Sequence, residues 1–332
     1  MDRLLIHQDA WARISTKLDP TAASRLVPVL VSSDGEVSEG GKPLESQSAR
    51  PSIAWMSADL WGTKAAGAFT RAALASPDLS WVHTASAGFD HPVFGEVVKK
   101  GARLTTSHAH AVGMADYVLW GVLDHFQRGP ERRAAQAEGV WRRLRYREIA
   151  GSTWALFGFG AIGKAVAARA RAFGARILAV SRRPAAHPLA DAALTPVEAR
   201  ARLFEADVAV LSLPLSASTR HFADQAFFAA MKPGSVVVNV GRGGLLDEAA
   251  LVAGLDAGRP GFAILDVFEV EPLPAQSPLW RHPKVSLTPH ASAISEGQAE
   301  RLDEAFLANL ERRLSGAALA DEPDPTEVIG AS

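Results

Sequence analysis

A glycine-rich turn constrains this chain more than any other feature. The sequence Leu156-Phe157-Gly158-Phe159-Gly160-Ala161-Ile162-Gly163 follows an apolar segment, 153–157, that predicts a strand. A helix begins at the turn and stops at Gly174, and a second apolar segment, 176–180, predicts another strand. This strand–turn–helix–strand context turns a weak Gly-x-Gly-x-x-Gly pattern into a dinucleotide-binding fingerprint.

Each glycine of the fingerprint has a physical reason. Gly158 permits the tight turn, Gly160 lets a pyrophosphate approach the backbone, and Gly163 lets the helix pack closely on the strand. The helix N-terminus adds unpaired N–H groups and the positive end of the helix dipole. We therefore predict that the phosphates of a dinucleotide bind at this turn.

The residues after the second strand indicate which dinucleotide is used. An NAD site usually has an Asp or Glu here, which binds the ribose 2′-hydroxyl. This chain has Ser181, followed by Arg182 and Arg183. We interpret the three residues as a 2′-phosphate pocket, so NADP(H) is preferred and NAD(H) is possible. The alternative is that both arginines are simply solvated.

The composition restricts the partners. The 332 residues carry a net charge of −1 and are 48% hydrophobic, which gives room for two domains and argues against nucleic acid. The absence of cysteine excludes disulfides, thiolate nucleophiles and cysteine-based metal sites. The N-terminus lacks a cleavage signal, and no apolar run approaches about 18 residues, so we expect no membrane span and a cytoplasmic protein.

Strands and helices alternate along the chain. From residue 153 onward, strands are predicted at 153–157, 176–180, 208–213, 235–240, 262–266 and 285–288. With helices between them, they predict a doubly wound parallel sheet of the Rossmann type. Looser alternation before residue 106 predicts strands at 3–6, 27–31, 53–55, 80–83 and 103–105, with a hairpin or turn-rich excursion at 32–50.

This pattern predicts two α/β domains. Residues 1–102 and 292–332 are assigned to a smaller, flavodoxin-like substrate domain, and 103–291 to the dinucleotide-binding domain. A long helix at 111–127 leads into the second domain, and a helix at 295–314 returns to the first. The acidic, Pro-rich tail from Asp321 is expected to be mobile.

Three segments at strand ends carry groups suited to hydride transfer. Arg242 follows the fourth strand of the second domain, acidic residues including Glu269 and Glu271 follow the fifth, and His290 follows the sixth. Arginine can hold a carboxylate with two parallel bonds, and histidine can exchange a hydroxyl proton near neutral pH. A carboxylate behind the imidazole would fix its tautomer and favour its protonated form.

Several motifs in one order make the chain resemble the D-isomer-specific 2-hydroxyacid dehydrogenases, from about residue 80 to 293. Ser86-Ala87-Gly88-Phe89-Asp90 is similar to the substrate loop of that family, Met114-Ala115-Asp116-Tyr117 to its helix start, and Leu213-Pro214-Leu215 with Thr219 to its cofactor-lining segment. The resemblance implies a 2-keto acid reductase of the glyoxylate/hydroxypyruvate type, acting as a homodimer.

The resemblance also assigns roles. Arg242 would bind substrate, His290 would be the acid/base, and Glu271 would orient His290. Substrate would also meet the backbone of Ala87 and Gly88, and Asp266 would hold the nicotinamide carboxamide. The other residues implied to line the cofactor are Met114, Gly158, Phe159, Gly160, Ala161, Ile162, Gly163, Ser181, Arg182, Arg183, Leu213, Pro214, Thr219, Val240 and Gly241, besides Arg242 and His290.

Some residues depart from the family pattern. Asp116 replaces the usual Glu, and His110 stands where many relatives have Asn, which makes it a candidate substrate contact. We predict no metal site, because no carboxylate or third histidine lies at ligand spacing from His108 and His110. The segment around Trp141 is either an inter-subunit arm or a surface helix.

Two other functions compete with this hypothesis. One is an NAD-linked dehydrogenase of the phosphoglycerate or phosphite type, although we find no regulatory domain and no phosphate-binding cluster. The other is a dinucleotide-sensing binding protein similar to corepressors of the same family. We favour the enzyme because the chain shows no docking extension.

Overall fold

The computed structural model describes residues 1–89 and 91–331, which form two compact units. One unit comprises residues 1–110 together with the chain from 296 onward, and the other comprises residues 111–295. The predicted domain boundaries at 102 and 291 differ from these by eight and four residues. The segment 103–105 forms a strand that pairs with Trp81–Thr84, which explains why it belongs to the first unit.

The first unit is a sheet with helices on both faces. Its strands are β1 (Asp2–His7), β2 (Leu26–Val31), β3 (Val37–Glu39), β4 (Lys42–Pro43), β5 (Ile53–Met56), β6 (Trp81–Thr84) and β7 (Arg103–Thr105). Its first helices are α1 (Gln8–Ser15), α2 (Pro20–Ser24), α3 (Ala65–Ala75) and α4 (Pro92–Lys99). Among the described residues the strand order is β4-β3-β2-β1-β5-β6-β7.

The parallel part of this sheet, β2-β1-β5-β6-β7, has the flavodoxin-like order that the sequence predicts. Strands β3 and β4 form an antiparallel hairpin at its edge, within the excursion predicted at 32–50. Side chains of β1 alternate between the two cores: Leu5 packs on one face, and Leu4 and Ile6 pack on the other.

The second unit is a doubly wound parallel sheet. Its helices are α5 (Ala111–Phe126), α6 (Gly129–Ala137), α7 (Ala161–Ala172), α8 (Pro196–Ala201), α9 (Gln225–Ala230) and α10 (Glu248–Ala257). Its strands are β8 (Thr153–Phe157), β9 (Arg176–Val180), β10 (Ala192–Leu194), β11 (Val208–Leu211), β12 (Val236–Asn239), β13 (Phe262–Leu265) and β14 (Val285–Leu287). The order β10-β9-β8-β11-β12-β13-β14 extends the Rossmann arrangement by one strand.

This sheet is buried on both faces, as its apolar strands predict. In β8, Ala155 and Phe157 enter the core on one face, and Trp154 and Leu156 enter the core on the other. Every pairing from β10 to β14 is parallel, so the carboxyl ends of these strands share one edge of the sheet. The predicted Rossmann fold is confirmed.

The end of the chain returns to the first unit. Helix α11 (Gln298–Leu314) packs Leu302, Phe306 and Leu310 into its core. The prediction of a mobile tail is wrong: α12 (Pro325–Ala331) follows, and Val328 is fully buried. Arg103 also binds the Glu322 carboxylate through two hydrogen bonds.

Short 3₁₀ helices complete the secondary structure at Ser46–Ser48, Ala58–Leu60, Leu203–Glu205, Gly243–Leu245 and Pro278–Arg281. Residues 138–148 contain no helix, so the surface-helix interpretation of the segment around Trp141 is wrong. Across the described part of the chain, every helix is too short or too polar to span a bilayer.

Candidate active site

The predicted site residues of the second unit lie after strands that share an edge. The glycine turn follows β8, Ser181 follows β9, and Leu213 follows β11. Arg242, Asp266 and His290 lie beyond the ends of β12, β13 and β14, respectively. Ligands of open α/β sheets bind in the crevice at this edge, where the connections from neighbouring strands diverge.

The glycine turn has the shape that a pyrophosphate requires. A Cβ on Gly158, whose φ is +99°, would approach the Ser212 carbonyl oxygen to 2.5 Å, and a Cβ on Gly163 would overlap the Gly158 carbonyl. A Cβ on Gly160 would instead enter open space, with no heavy atom within 4 Å. The turn is therefore packed tightly on its protein side and open beside Gly160, where α7 begins. The residues fit a dinucleotide.

The end of β9 is exposed. The Ser181 N–H donates to the Leu194 carbonyl at 3.1 Å, which fixes its backbone beside β10. Arg182 and Arg183 are both exposed to solvent. Farther along the same loop, the His187 ring packs against Phe159 of the glycine turn, with ring centroids 5.2 Å apart.

The loop after β11 is closed by Thr219. Its Oγ1 donates to the Pro214 carbonyl at 2.7 Å and accepts from the Ser216 N–H at 2.8 Å. Leu213 is half-buried and Pro214 is exposed. Thr219 thus holds the shape of the segment that is predicted to line the cofactor.

Arg242 lies on a turn that the Asn239 side chain holds with two hydrogen bonds. The buried Asn239 side chain accepts from the Gly241 N–H at 3.1 Å and donates to the Arg242 carbonyl at 3.0 Å. The Arg242 guanidinium donates to the Gly241 carbonyl at 2.8 Å. Val240 and Gly241 are buried beneath the turn. Sequence reasoning missed Asn239 as a positioning residue, although it ends a buried strand.

The buried Asp266 carboxylate organises the segment that carries His290. It accepts from the Thr288 hydroxyl at 2.6 Å, from the Ala291 N–H at 2.8 Å and from the Ser292 N–H at 3.0 Å. The Asp266 carbonyl also accepts from the His290 N–H at 2.8 Å. The sequence missed this positioning role. Contact with the nicotinamide carboxamide stays a prediction.

His290 and Glu271 form a close pair. The Nδ1 atom of His290 lies 2.7 Å from Oε2 of Glu271, whose Oε1 accepts from the Phe268 N–H at 2.9 Å. Because the carboxylate only accepts, Nδ1 carries the proton and Nε2 is left to exchange protons with a substrate. The His290 side chain is 52% exposed, so a small molecule can reach it.

The backbone of His290 is strained, with a φ of +51°. Non-glycine residues rarely adopt this conformation, and it persists where surrounding contacts enforce it. Here the hydrogen bonds to Asp266 flank the residue on both sides. Glu269, the other acid considered from the sequence, pairs with His221 at 2.7 Å instead.

A second hydroxyl extends the network beneath His290. The hydroxyl oxygens of Tyr117 and Thr288 lie 2.8 Å apart. Burial raises the pKa of Tyr117 to about 12, and the nearby Asp266 carboxylate acts in the same direction. Tyr117 is therefore a neutral hydrogen-bonding group at physiological pH. The sequence suggested only that it belongs to a helix start.

The remaining predicted cofactor contacts differ in exposure. Met114 is 9% exposed and packs in the core between α5 and the sheet. Ala161 and Ile162 are half-buried in the first turn of α7. Asp116 is exposed and pairs with Arg169 of α7 at 2.6 Å, which agrees with a structural role.

The predicted substrate loop follows β6 in the first unit. Ser86 donates to the Thr84 hydroxyl at 3.2 Å, and its carbonyl accepts from the Ser107 N–H at 3.1 Å. Within the described ranges, the N–H groups of Ala87 and Gly88 donate to no protein acceptor. Unpaired consecutive N–H groups suit an anion. Asp90, the last residue of the motif, lies outside the described residues.

One group of metal-ligand type occurs among the described residues, formed by His7, Asp9 and Asp59. Its atoms already have protein partners. Arg13 donates to both Asp59 oxygens at 2.8 Å, and His7 Nδ1 accepts from the Asp9 N–H at 3.2 Å. We assign it no ligand. His108, considered earlier as a ligand, lies 3.4 Å from the Asp321 carboxylate.

The family model "D-isomer specific 2-hydroxyacid dehydrogenase, NAD binding domain" matches residues 119–292, more than half of the chain. The match contains the glycine turn, Arg242, Glu271 and His290. The chain belongs to this family.

Individual members of the family are also similar to the chain. The (S)-sulfolactate dehydrogenase of Chromohalobacter salexigens is 37% identical over 220 residues, covering 64% of this chain and 70% of the relative. Glyoxylate/hydroxypyruvate reductase A of Serratia proteamaculans is 35% identical over 186 residues, covering 56% of this chain. This second match spans only 59% of that reductase.

A solved structure of the family covers the whole fold. It is a D-isomer specific 2-hydroxyacid dehydrogenase from Xanthobacter autotrophicus, in complex with NADPH and MES. It superposes with a TM-score of 0.78 and 28% identity, over 98% of this chain and 99% of that one. The chain is thus an NAD(P)-dependent 2-hydroxyacid oxidoreductase with a nicotinamide dinucleotide cofactor, as the sequence predicts.

Proposed function

We propose that this 2-hydroxyacid dehydrogenase reduces small 2-keto acids of the glyoxylate/hydroxypyruvate type to D-2-hydroxy acids, with NADPH preferred over NADH. The observation that carries the proposal is the His290–Glu271 pair, with Nδ1 and Oε2 2.7 Å apart. This pair fixes one ring nitrogen as a donor to protein and leaves Nε2 for the reaction.

The proposed step moves one proton through His290. When bound at the glycine turn, the nicotinamide dinucleotide would supply a hydride to C2 of the keto acid. As the C=O π bond breaks, its electron pair moves to oxygen, which takes the proton from Nε2 of His290. Glu271 favours the protonated ring before this transfer, because a carboxylate stabilises an adjacent cation. Oxidation reverses each transfer.

Substrate orientation is assigned to Arg242 and the loop of the first unit. A guanidinium can bind a carboxylate with two parallel hydrogen bonds, and Asn239 fixes the turn that carries it. The unpaired N–H groups of Ala87 and Gly88, in the first unit, suit a carboxylate chemically. Both assignments are proposals.

Preference for NADPH is supported by charge. Ser181 brings no carboxylate that would repel a 2′-phosphate, and the exposed Arg182 and Arg183 follow it. A hydrogen bond to a charged group contributes about 1.5–3 kcal/mol, so one such contact favours NADPH by about tenfold or more. The NADPH complex of the Xanthobacter relative agrees with this preference.

A second candidate substrate is 3-sulfopyruvate. The relative named (S)-sulfolactate dehydrogenase supports it, because its name specifies a 2-hydroxy acid with a sulfonate group. The reaction at C2 would be the same. Only the side chain of the substrate, and the residues that accommodate it, would differ.

A homodimer is proposed on the surface of the second unit. A groove of about 540 Å³ on α5 and α7 is lined by apolar residues, including the exposed Trp120 and Phe173, and by two aspartates. We propose that the 138–148 segment of a second copy covers the apolar part of this groove with Trp141, whose side chain is 92% exposed. Trp141→Ala should lower the dimer fraction in sedimentation experiments. Unchanged assembly would contradict this interface. Cytoplasmic location stays a prediction.

The decisive experiment measures kcat/KM for glyoxylate, hydroxypyruvate, 3-sulfopyruvate and larger 2-keto acids with each cofactor. We expect NADPH to exceed NADH by about tenfold or more, and the double variant Ser181→Asp/Arg182→Ala to reverse that order. Equal or better use of NADH by the parent would overturn the cofactor proposal.

The acid/base assignment has its own variant. His290→Ala should lower kcat about 10²–10⁴-fold and leave the Kd for NADPH nearly unchanged. Retention of most of kcat would overturn the role of His290 without affecting the family assignment.

A further inference from the structure

His110 binds the backbone just before the proposed substrate loop. Its Nε2 lies 2.5 Å from the Ala85 carbonyl oxygen, and Ala85 is 1% exposed. A carbonyl oxygen can only accept, so Nε2 is the protonated nitrogen of the neutral ring. His110 therefore restrains the residue that leads into Ser86, Ala87 and Gly88.

The other ring nitrogen of His110 also has a hydrogen-bond partner. Nδ1 of His110 lies 3.0 Å from Nε2 of Gln298, so the amide N–H donates to it. Gln298 is the first residue of α11, and the Nε of Arg301, one turn later, contacts the Ala109 carbonyl at 3.4 Å. The start of this helix thus holds residues 109 and 110 from one side.

Helix α11 is a rigid support for this contact. Leu302, Phe306 and Leu310 are almost fully buried, and Phe306 stacks on Trp55 with centroids 5.1 Å apart. Two hydrogen bonds, which we call the relay, therefore link Gln298 on this helix to His110, and His110 to the Ala85 carbonyl.

We propose that His110 is a positioning residue, which orients the N–H groups of Ala87 and Gly88 toward the substrate carboxylate. This inference rests on the proposed function of that loop. It differs from direct contact between His110 and substrate, because the hydrogen bonds to Ala85 and Gln298 already use both ring nitrogens. It also gives a reason for a histidine at this position, since asparagine is too short to span both partners.

The test compares three variants with the parent in steady-state reduction of the best 2-keto acid. His110→Phe keeps a planar ring and removes both nitrogens. It should raise the KM for the keto acid about tenfold or more, with kcat changed less than about threefold and the Kd for NADPH unchanged. Gln298→Met should raise the KM by a smaller factor, because Nε2 of His110 still bonds to the Ala85 carbonyl in this variant.

The double variant His110→Phe/Gln298→Met should match His110→Phe, because residues of one relay are not additive. Glu300→Gln is the matched control: it lies in the same turn of α11 and pairs with the exposed Lys17 at 3.2 Å. Its KM should equal that of the parent. If His110→Phe does not fold, the rise of KM in Gln298→Met carries the test.

Each contrary result has a distinct meaning. Loss of kcat in His110→Phe, with a parental KM in Gln298→Met, would overturn the inference in favour of direct substrate contact. A lower melting temperature with unchanged KM would reduce His110 to a structural role and also overturn it. If the parent reduces no 2-keto acid, the proposed function fails, and this inference fails with it.

Discussion

Replacing Glu271 with Gln removes the negative charge beside His290 and keeps the shape of the side chain. The atoms Nδ1 and Oε2 are 2.7 Å apart in the parent, which is typical of a charge-assisted hydrogen bond. Such a bond contributes about 1.5–3 kcal/mol. Because the His290 and Glu271 side chains are 52% and 35% exposed, solvent screens the interaction, and we expect about 0.2–1 kcal/mol.

This energy predicts a shift in the pH–rate profile. In the proposed reaction, the protonated imidazole of His290 donates the proton during reduction, so the rate of reduction should fall as the pH rises. An amide favours the cationic ring less than a carboxylate does, so this fall should begin at a lower pH in Glu271→Gln than in the parent. The measurement is kcat for 2-keto acid reduction across pH. In the oxidation direction, the rise of the rate with pH should move to lower pH by the same amount.

The chain provides a matched control two residues away. Glu269 also pairs with a histidine at 2.7 Å, but its partner is His221. Glu269→Gln removes the same charge and should leave the profile of the parent unchanged. An unmoved profile in Glu271→Gln, or an equal shift in Glu269→Gln, would refute the reasoning.

Two further variants test other parts of the molecule. Arg242→Lys keeps the charge but loses the planar fork, so kcat/KM for the keto acid should fall about tenfold or more; near-parental activity would mean that another group holds the carboxylate. Burial lowers the pKa of His83 to about 3, well below its value of about 6.5 in the unfolded chain. The free energy of unfolding should therefore be unaffected by this residue above about pH 6.5. Below that pH it should fall by about 1.4 kcal/mol per pH unit, because the unfolded chain binds the proton and the folded chain does not. Urea unfolding at about pH 7.5 and pH 5 should therefore show an extra loss of about 2 kcal/mol in the parent compared with His83→Phe, and parallel losses would contradict this.

The sequence predicts the second unit well because its signals are local. A buried parallel strand is a short apolar run, and the predicted runs agree with β8, β9 and β11 to β14 within two residues at each end. The exception is β10 (Ala192–Leu194), which is short, half-buried and rich in alanine. It has neither the length nor the β-branched residues that indicate a strand.

The tail shows how composition misleads. Its acidic and proline residues suggested disorder, yet the same residues start a helix. The Asp324 carboxylate accepts from the Thr326 N–H at 2.8 Å, and Pro325 occupies the first helical position. Val328 then packs into the core of the first unit, among residues of the N-terminal segment. That contact connects segments distant in sequence, so no local pattern reveals it.

The roles of the positioning residues could not be predicted from the sequence for the same reason. Asp266 bonds to residues 22 to 26 positions away, and His110 to Ala85 and Gln298, which are 25 and 188 positions away. A motif identifies which side chains can perform the chemistry. It does not identify the tertiary contacts that hold them, because those depend on how the chain folds back.

The strand order of the second sheet makes two properties of the enzyme separable. The residues proposed to select the cofactor follow β9, and the residue proposed to transfer the proton follows β14, five strand positions away. At the usual spacing these strands are roughly 24 Å apart. Substitutions that far apart, whose side chains do not contact each other, usually have nearly additive free energies. We therefore expect that a change of cofactor preference, by design or during evolution, leaves the rate of the chemical step nearly unchanged.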